Sequence, residues 1–133
     1  MTKTEINQKI VDAINRHNSR EAAEYYAEDA VVYDPMYLEP LRGREAIEKD
    51  TADTIRAIPD LRVETHNMLE KDNTIAIEYT VMGTNTGPFV SPEGDVPPTG
   101  KKVKVDIAMF STFNDQDRVV EEHRYYNVAD MTG

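Results

Sequence analysis

The hydrophobic repeat of this chain changes period at Pro59, and that change restricts the architecture more than any other feature. Before it, apolar residues recur at helical spacing. Ile6, Ile10, Ala13 and Ile14 share one face, and Thr2 and Glu5 stand at the spacing of a capping box, so a helix is predicted over residues 3–17. Asn18 and Glu21 repeat that spacing for a short second helix ending near Ala27. A third helix starts after Gly43 and stops before Pro59, with Ile47, Thr51, Thr54, Ile55 and Ile58 on its inner stripe. After Pro59 the period is two. Leu61, Val63 and Thr65 alternate with Arg62, Glu64 and His66, and Ile75, Ile77, Tyr79 and Val81 alternate with Ala76, Glu78, Thr80 and Met82. Helices followed by a run of strands is an α+β layout.

Punctuation between the strands fits this reading. Glu70-Lys71-Asp72-Asn73 and Asn114-Asp115-Gln116-Asp117 are polar turns, the second joining strands over 101–113 and 118–127. Residues 84–100 carry Gly87-Pro88, Pro92-Glu93-Gly94 and Pro97-Pro98-Thr99-Gly100 and form one long connection, of the kind that closes over the mouth of a site. With 133 residues and no repeat or low-complexity segment, a single domain over 1–133 is expected.

Charge and composition narrow the function. A net charge of −10 argues against nucleic acid or an anionic membrane as partner, since both require a basic surface. The absence of cysteine removes disulfides, thiolate metal sites and cysteine nucleophiles. Three scattered histidines without paired spacing leave no metal constellation, and neither a metal nor a cofactor is expected. The N-terminal segment has no apolar signal core, so the expected compartment is the cytoplasm.

The chemistry concentrates around Ala27-Glu28-Asp29-Ala30-Val31-Val32-Tyr33-Asp34-Pro35. There a short apolar strand ends in a carboxylate, and the following proline stops the ladder. Such a carboxylate can face a cavity and act as a general base if its surroundings exclude water, a task assigned to Val32, Ile77 and Met109. On the last strand Glu122, Arg124 and Tyr126 share one face, and Glu121, His123 and Tyr125 the other. Tyr79 can offer a phenol to a substrate carbonyl or fill space, and Met36-Tyr37-Leu38 stands where a mouth would be.

The segment Ala30-Val31-Val32-Tyr33-Asp34-Pro35, followed by Gly43-Arg44-Glu45-Ala46-Ile47, resembles the ketosteroid isomerases and the wider nuclear transport factor 2-like superfamily. Within it, Pro59-Asp60-Leu61-Arg62-Val63, Gly83-Thr84-Asn85-Thr86-Gly87, Pro97-Pro98-Thr99-Gly100-Lys101-Lys102-Val103 and Val120-Glu121-Glu122-His123 are similar to SnoaL-like polyketide cyclases. The resemblance implies a cone in which a curved antiparallel sheet packs on three N-terminal helices, and a homodimer formed through the sheet. It places Asp34 at the proton-shuttling aspartate of the isomerases, Ile10 and Met109 where those enzymes carry their oxyanion donors, and Glu122 and Arg124 where the cyclases carry a histidine and an aspartate.

The resulting expectation is a cofactor-independent isomerase, cyclase or lyase. It would abstract a proton next to the carbonyl of a small apolar, polyketide- or steroid-like molecule. Asp34 is the base, Arg124 or Tyr79 the oxyanion partner, and Glu122 a second acid or a tether for Arg124, with Val32, Tyr79, Ile77, Met109, Tyr126 and Met36 around the substrate. The alternative is a binding protein for a hydrophobic metabolite in which the same residues only orient the ligand. A scaffold acting through its dimer face, its cone filled by its own side chains, is a third possibility.

Overall fold

The computed structural model describes residues 1–91 and 93–132. Thr2 closes the first turn of α1 (Lys3–Asn15): its hydroxyl accepts from the Glu5 amide at 3.1 Å, and the Glu5 carboxylate accepts from the Thr2 amide at 3.3 Å. The helix buries Ile6, Ile10, Val11 and Ala13. Asn15 at its last position pairs both ends of its amide with the Val63 backbone, at 2.7 and 3.0 Å, fixing the helix to the start of a strand. The second helix, α2 (Ser19–Ala23), is shorter than the Asn18 spacing suggested, because β1 (Tyr26–Tyr33) already begins where that helix was expected to end.

A two-residue strand, β2 (Leu41–Arg42), leads into α3 (Arg44–Ala57). Then come β3 (Arg62–Lys71), β4 (Thr74–Thr84), β5 (Lys102–Phe113), β6 (Val119–Tyr125) and a final helix, α4 (Val128–Thr132). The six strands form one sheet in the order β2-β1-β6-β5-β4-β3. Together with the helices this is an α+β fold, as the change of period predicts. Two details differ from the expected picture. The sheet is mixed, because β1 runs parallel to β6, with Val32 opposite Glu122 and Tyr33 opposite His123. The helices are also not all N-terminal to the sheet, since α3 follows β1 and β2, and α4 closes the chain. The parallel pairing follows from connectivity: β1 and β6 are joined through everything between them, so no hairpin forces them antiparallel.

Two buried clusters lie on the inner face. Val32, Ile75, Ile77, Met109 and Phe113 pack with Ile6, Ile10 and Ile47 in one; Leu61, Val63, Val81, Val105 and Ile107 pack with Val11, Ile58 and Met131 in the other. Tyr79 and Ile14 touch both and mark the boundary. The connection between β4 and β5 is ordered by Asn85, which is 1% exposed. Its amide donates to the Ala57 and Gly87 carbonyls at 3.0 and 2.8 Å and accepts from the Thr99 amide and hydroxyl at 2.8 and 3.0 Å. Gly87 must be glycine, since a β-carbon there would sit 1.9 Å from the Arg56 carbonyl oxygen. Among the described residues no helix is long and apolar enough to cross a membrane.

Candidate active site

The strand β1 ends where Pro35 forbids another ladder bond, and Asp34 turns its carboxylate inward at that point. Oδ1 accepts from the Met36 amide at 2.8 Å, a side-chain turn that fixes the carboxyl on its own backbone, and from the Tyr126 phenol at 2.5 Å. Oδ2 accepts from Nη1 of Arg124 at 3.0 Å. Arg124 reaches this point because alternation along β6 turns it to the inner face together with Glu122.

Glu122 is 1% exposed and fully bonded: Oε1 accepts from Tyr26 at 2.7 Å and Ser111 at 3.0 Å, and Oε2 from Nε of Arg124 at 2.7 Å. It lies behind the arginine and does not line the cavity. Its contact with Nε of Arg124 and its absence from the cavity wall match the tether of the two expected roles.

The fourth member of the cluster escaped the sequence reading. Asp50, in the middle of α3, accepts from the same Nη1 at 2.9 Å and from the Tyr37 phenol at 2.6 Å. It follows Ile47 by three positions and precedes Thr54 by four, so it stands on the inner stripe of the helix. An acid on an otherwise inward-facing stripe was the signal. Three carboxylates therefore surround one guanidinium. Nε and Nη1 are engaged, whereas Nη2 meets no acceptor among the described residues.

These contacts line one end of a cavity of about 330 Å³. Its remaining wall is largely apolar: Leu61, Val63, Val81 and Ile107 from the sheet side, Phe89, Val90 and Val96 from the long connection, and Met131 from α4. The long connection thus lines part of the cavity. Met36, Tyr79 and Tyr126 also line the cavity. Val32, Ile77 and Met109 do not, correcting the expectation that they surround the substrate. Each is at most 8% exposed and lies in the other buried cluster, on the far side of Tyr79. Along β4 the inner face passes from Ile77 in the core to Tyr79 and Val81 at the cavity, so a single step of the strand period separates filling from lining. Ile10 is likewise core, and Met109 stands opposite Arg124, so neither supplies an oxyanion donor.

Burial and neighbouring carboxylates hold the phenols protonated. Tyr126 is raised by burial and then by its bond to Asp34, Tyr37 by burial and then by the charge of Asp50, and Tyr26 by burial and then by Glu122. Tyr79 is also raised by burial, with Arg124 opposing; among the described residues its hydroxyl has only the Met109 sulfur, at 3.9 Å, as partner. Burial alone would lower Arg124, but Glu122, Asp50, Tyr26 and Asp34 outweigh it and the guanidinium is raised above its ordinary value. It stays charged. Among the described residues no three metal-ligating side chains converge in a metal-binding arrangement, and the carboxylates of the site are taken by Arg124 and the phenols.

His123 is outside the site, on the outer face, stacked on Tyr33 with ring centres 4.5 Å apart. His66 also stands on the outer face, bonded to Thr80 at 2.6 Å, and His17 bonds the Leu61 carbonyl at 2.8 Å.

The chain belongs to the SnoaL-like polyketide cyclase family, whose sequence profile matches residues 4–132. Among solved structures it is similar to a protein from Jannaschia sp. CCS1 assigned as a SnoaL-like polyketide cyclase, with 18% identity, TM-score 0.83, and 98% of this chain and 88% of that one covered. IdmH from Streptomyces antibioticus, assigned as a polyketide cyclase, matches at 21% identity and TM-score 0.78 over 99% of this chain and 96% of its own. A protein with a ketosteroid isomerase-like fold from Catenulispora acidiphila matches at 19% identity and TM-score 0.79, covering 98% of this chain and 91% of that one. At these identities the likeness concerns the fold. No curated protein matches the chain.

Proposed function

We propose that this protein is a cofactor-independent enzyme that removes a proton adjacent to the carbonyl of a small apolar ketone, with Asp34 as the base. The supporting observation is the guanidinium of Arg124: carboxylates hold it on two nitrogens, and its third nitrogen has no acceptor among the described residues, beside Asp34 and in a cavity whose other walls are largely apolar. In the reaction Oδ2 of Asp34 takes the proton, the C–H electrons form the enolate double bond, and the carbonyl oxygen becomes an oxyanion. Nη2 of Arg124 and the phenol of Tyr79 donate to that oxygen. Donors fixed before reaction in a low-dielectric site act most strongly where charge develops, each contributing roughly 10²–10³ in rate.

The competing reading is a binding protein, favoured by the observation that each carboxylate already has its bonds within the fold. The two are separated with 2-tetralone, an apolar bicyclic ketone, followed by proton NMR in heavy water. The enzyme reading expects loss of the α-proton signal above the buffer rate and a fall of about 10²–10⁴ in that rate in Asp34→Asn, the range for a general base. Binding of the enol analogue 2-naphthol without any exchange of 2-tetralone would establish the binding reading instead. On the outer face, Phe110 and Tyr125 pack edge to face and are 47% and 57% exposed, which supports pairing of two copies through the sheet.

A further inference from the structure

We propose that this cavity selects a cation: its ligand is an apolar molecule bearing an ammonium group that lies against Asp50, which for the proposed reaction makes the substrate an amino ketone. The inference rests on the reading of the cavity as the ligand site and holds for the enzyme and the binding protein alike. It follows from the charge balance at the polar end. Both oxygens of all three carboxylates accept hydrogen bonds: those of Asp34 from the Met36 amide, Tyr126 and Arg124, those of Asp50 from Tyr37 and Arg124, and those of Glu122 from Tyr26, Ser111 and Arg124. That is the bonding of ionised carboxylates, and one guanidinium faces them. The cluster therefore carries an excess of two negative charges, with all three acids shielded from solvent.

The cavity wall does not supply the missing cations. Among the described residues that line it Arg124 is the only base, and the remaining acid, Asp53, is held by Lys49 at 2.7 Å. Where solvent is excluded such an excess is poorly screened, so it attracts a cation and repels an anion. Asp50 is the place for that cation. It lines the cavity, and each of its oxygens takes a single donor, so each keeps an acceptor position open. Glu122 is closed off by Tyr26 and Ser111, and on Asp34 only Oδ2 keeps such a position, the one assigned to the substrate proton. A second observation concerns the rest of the ligand. Nη2 of Arg124 and the phenol of Tyr79 are buried donors without an oxygen acceptor among the described residues. A carboxylate ligand would satisfy them but add to the excess charge, whereas a carbonyl oxygen satisfies them and adds none. An ammonium at Asp50 then offsets part of the excess.

Three bicyclic probes that differ in charge test this by titration calorimetry of the full chain at pH 7: 2-naphthylmethylamine as the cation, 2-naphthol as the neutral molecule and 2-naphthoate as the anion. The amine is expected to bind at least about tenfold more tightly than naphthol, and naphthoate more weakly than either. Asp50→Asn keeps the side chain's shape and removes its charge. It is expected to weaken the amine by about tenfold or more, the range for a hydrogen bond to a charged group, and naphthol by less than about threefold. Naphthol binding in the variant also shows that the cavity is still formed; where the variant does not fold, the ranking in the wild-type protein decides alone. Wild-type protein that binds naphthol or naphthoate as tightly as the amine overturns the inference and leaves the cavity reading standing; binding of none of the three overturns both. An equal loss of amine and naphthol affinity in Asp50→Asn overturns the assignment of the cation to Asp50. Exchange of 2-tetralone reports on Asp34 as base independently of these outcomes.

Discussion

Replacing Arg124 with methionine, which keeps a flexible stem and removes the charge, tests whether the guanidinium is the keystone of the buried cluster. The side chain is 12% exposed, and its carboxylate partners Asp34, Asp50 and Glu122 are 6%, 11% and 1% exposed, so solvent does not replace what is lost. Removing one partner of a buried ion pair costs about 3–5 kcal/mol, because an uncompensated charge is left behind. Here three are left, but each retains a phenol: Tyr126 on Asp34, Tyr37 on Asp50 and Tyr26 on Glu122. Those donors hold the expected loss to about 3–4 kcal/mol, within the buried-pair range. For a chain of this size that is a fall in Tm of roughly 10–15 °C.

Urea unfolding followed by circular dichroism at pH 7 measures the loss. A deficit under about 1 kcal/mol there would refute the view that this arginine balances the buried carboxylates.

Two further outcomes follow from the same structure. Asn85→Ala removes four hydrogen bonds from a side chain that is 1% exposed, so a loss of about 2–4 kcal/mol is expected, with faster amide exchange in the 86–100 segment; exchange unchanged there would show that the connection is ordered by something else. The raised phenols of Tyr26, Tyr37, Tyr79 and Tyr126 contribute stability that is full below the unfolded tyrosine value of about 10 and is lost as pH rises through their folded values. Alkaline titration followed by phenolate absorbance should therefore show a late group of tyrosines ionising together with loss of the circular dichroism signal, whereas early, independent ionisation of all of them would contradict their burial.

The fold was legible where periodicity carried it. The stripe of Ile6, Ile10 and Ala13, and the alternation of Ile75, Ile77 and Val81, give elements whose buried faces are as expected. The parallel pairing of β1 with β6 was not legible, because it is set by which edges meet once the intervening elements have packed, and no local pattern encodes that. Nor was α4: the five residues Val128–Thr132 are too few to show a helical period, and the segment earns its place by burying Met131 against the sheet.

The site divides along the same line. Asp34 could be found because a proline marks the strand end, and Arg124 because strand parity places it with Glu122. Which inward residues line a cavity and which fill the core was beyond parity. Ile77 and Tyr79 share a face of β4, but only Tyr79 lines the cavity. Asp50 shows the converse. Its helical position was inward by spacing, but polar positions on a stripe are discounted when the stripe is sought through its apolar members. An acid at such a position costs desolvation unless a partner meets it, so its presence is itself evidence for one. Arg124 and Tyr37 are those partners, and only Arg124 also binds Asp34. Arg124 thus joins two carboxylates from separate elements, and any chemistry assigned to Asp34 has to be tested with Asp50 in view.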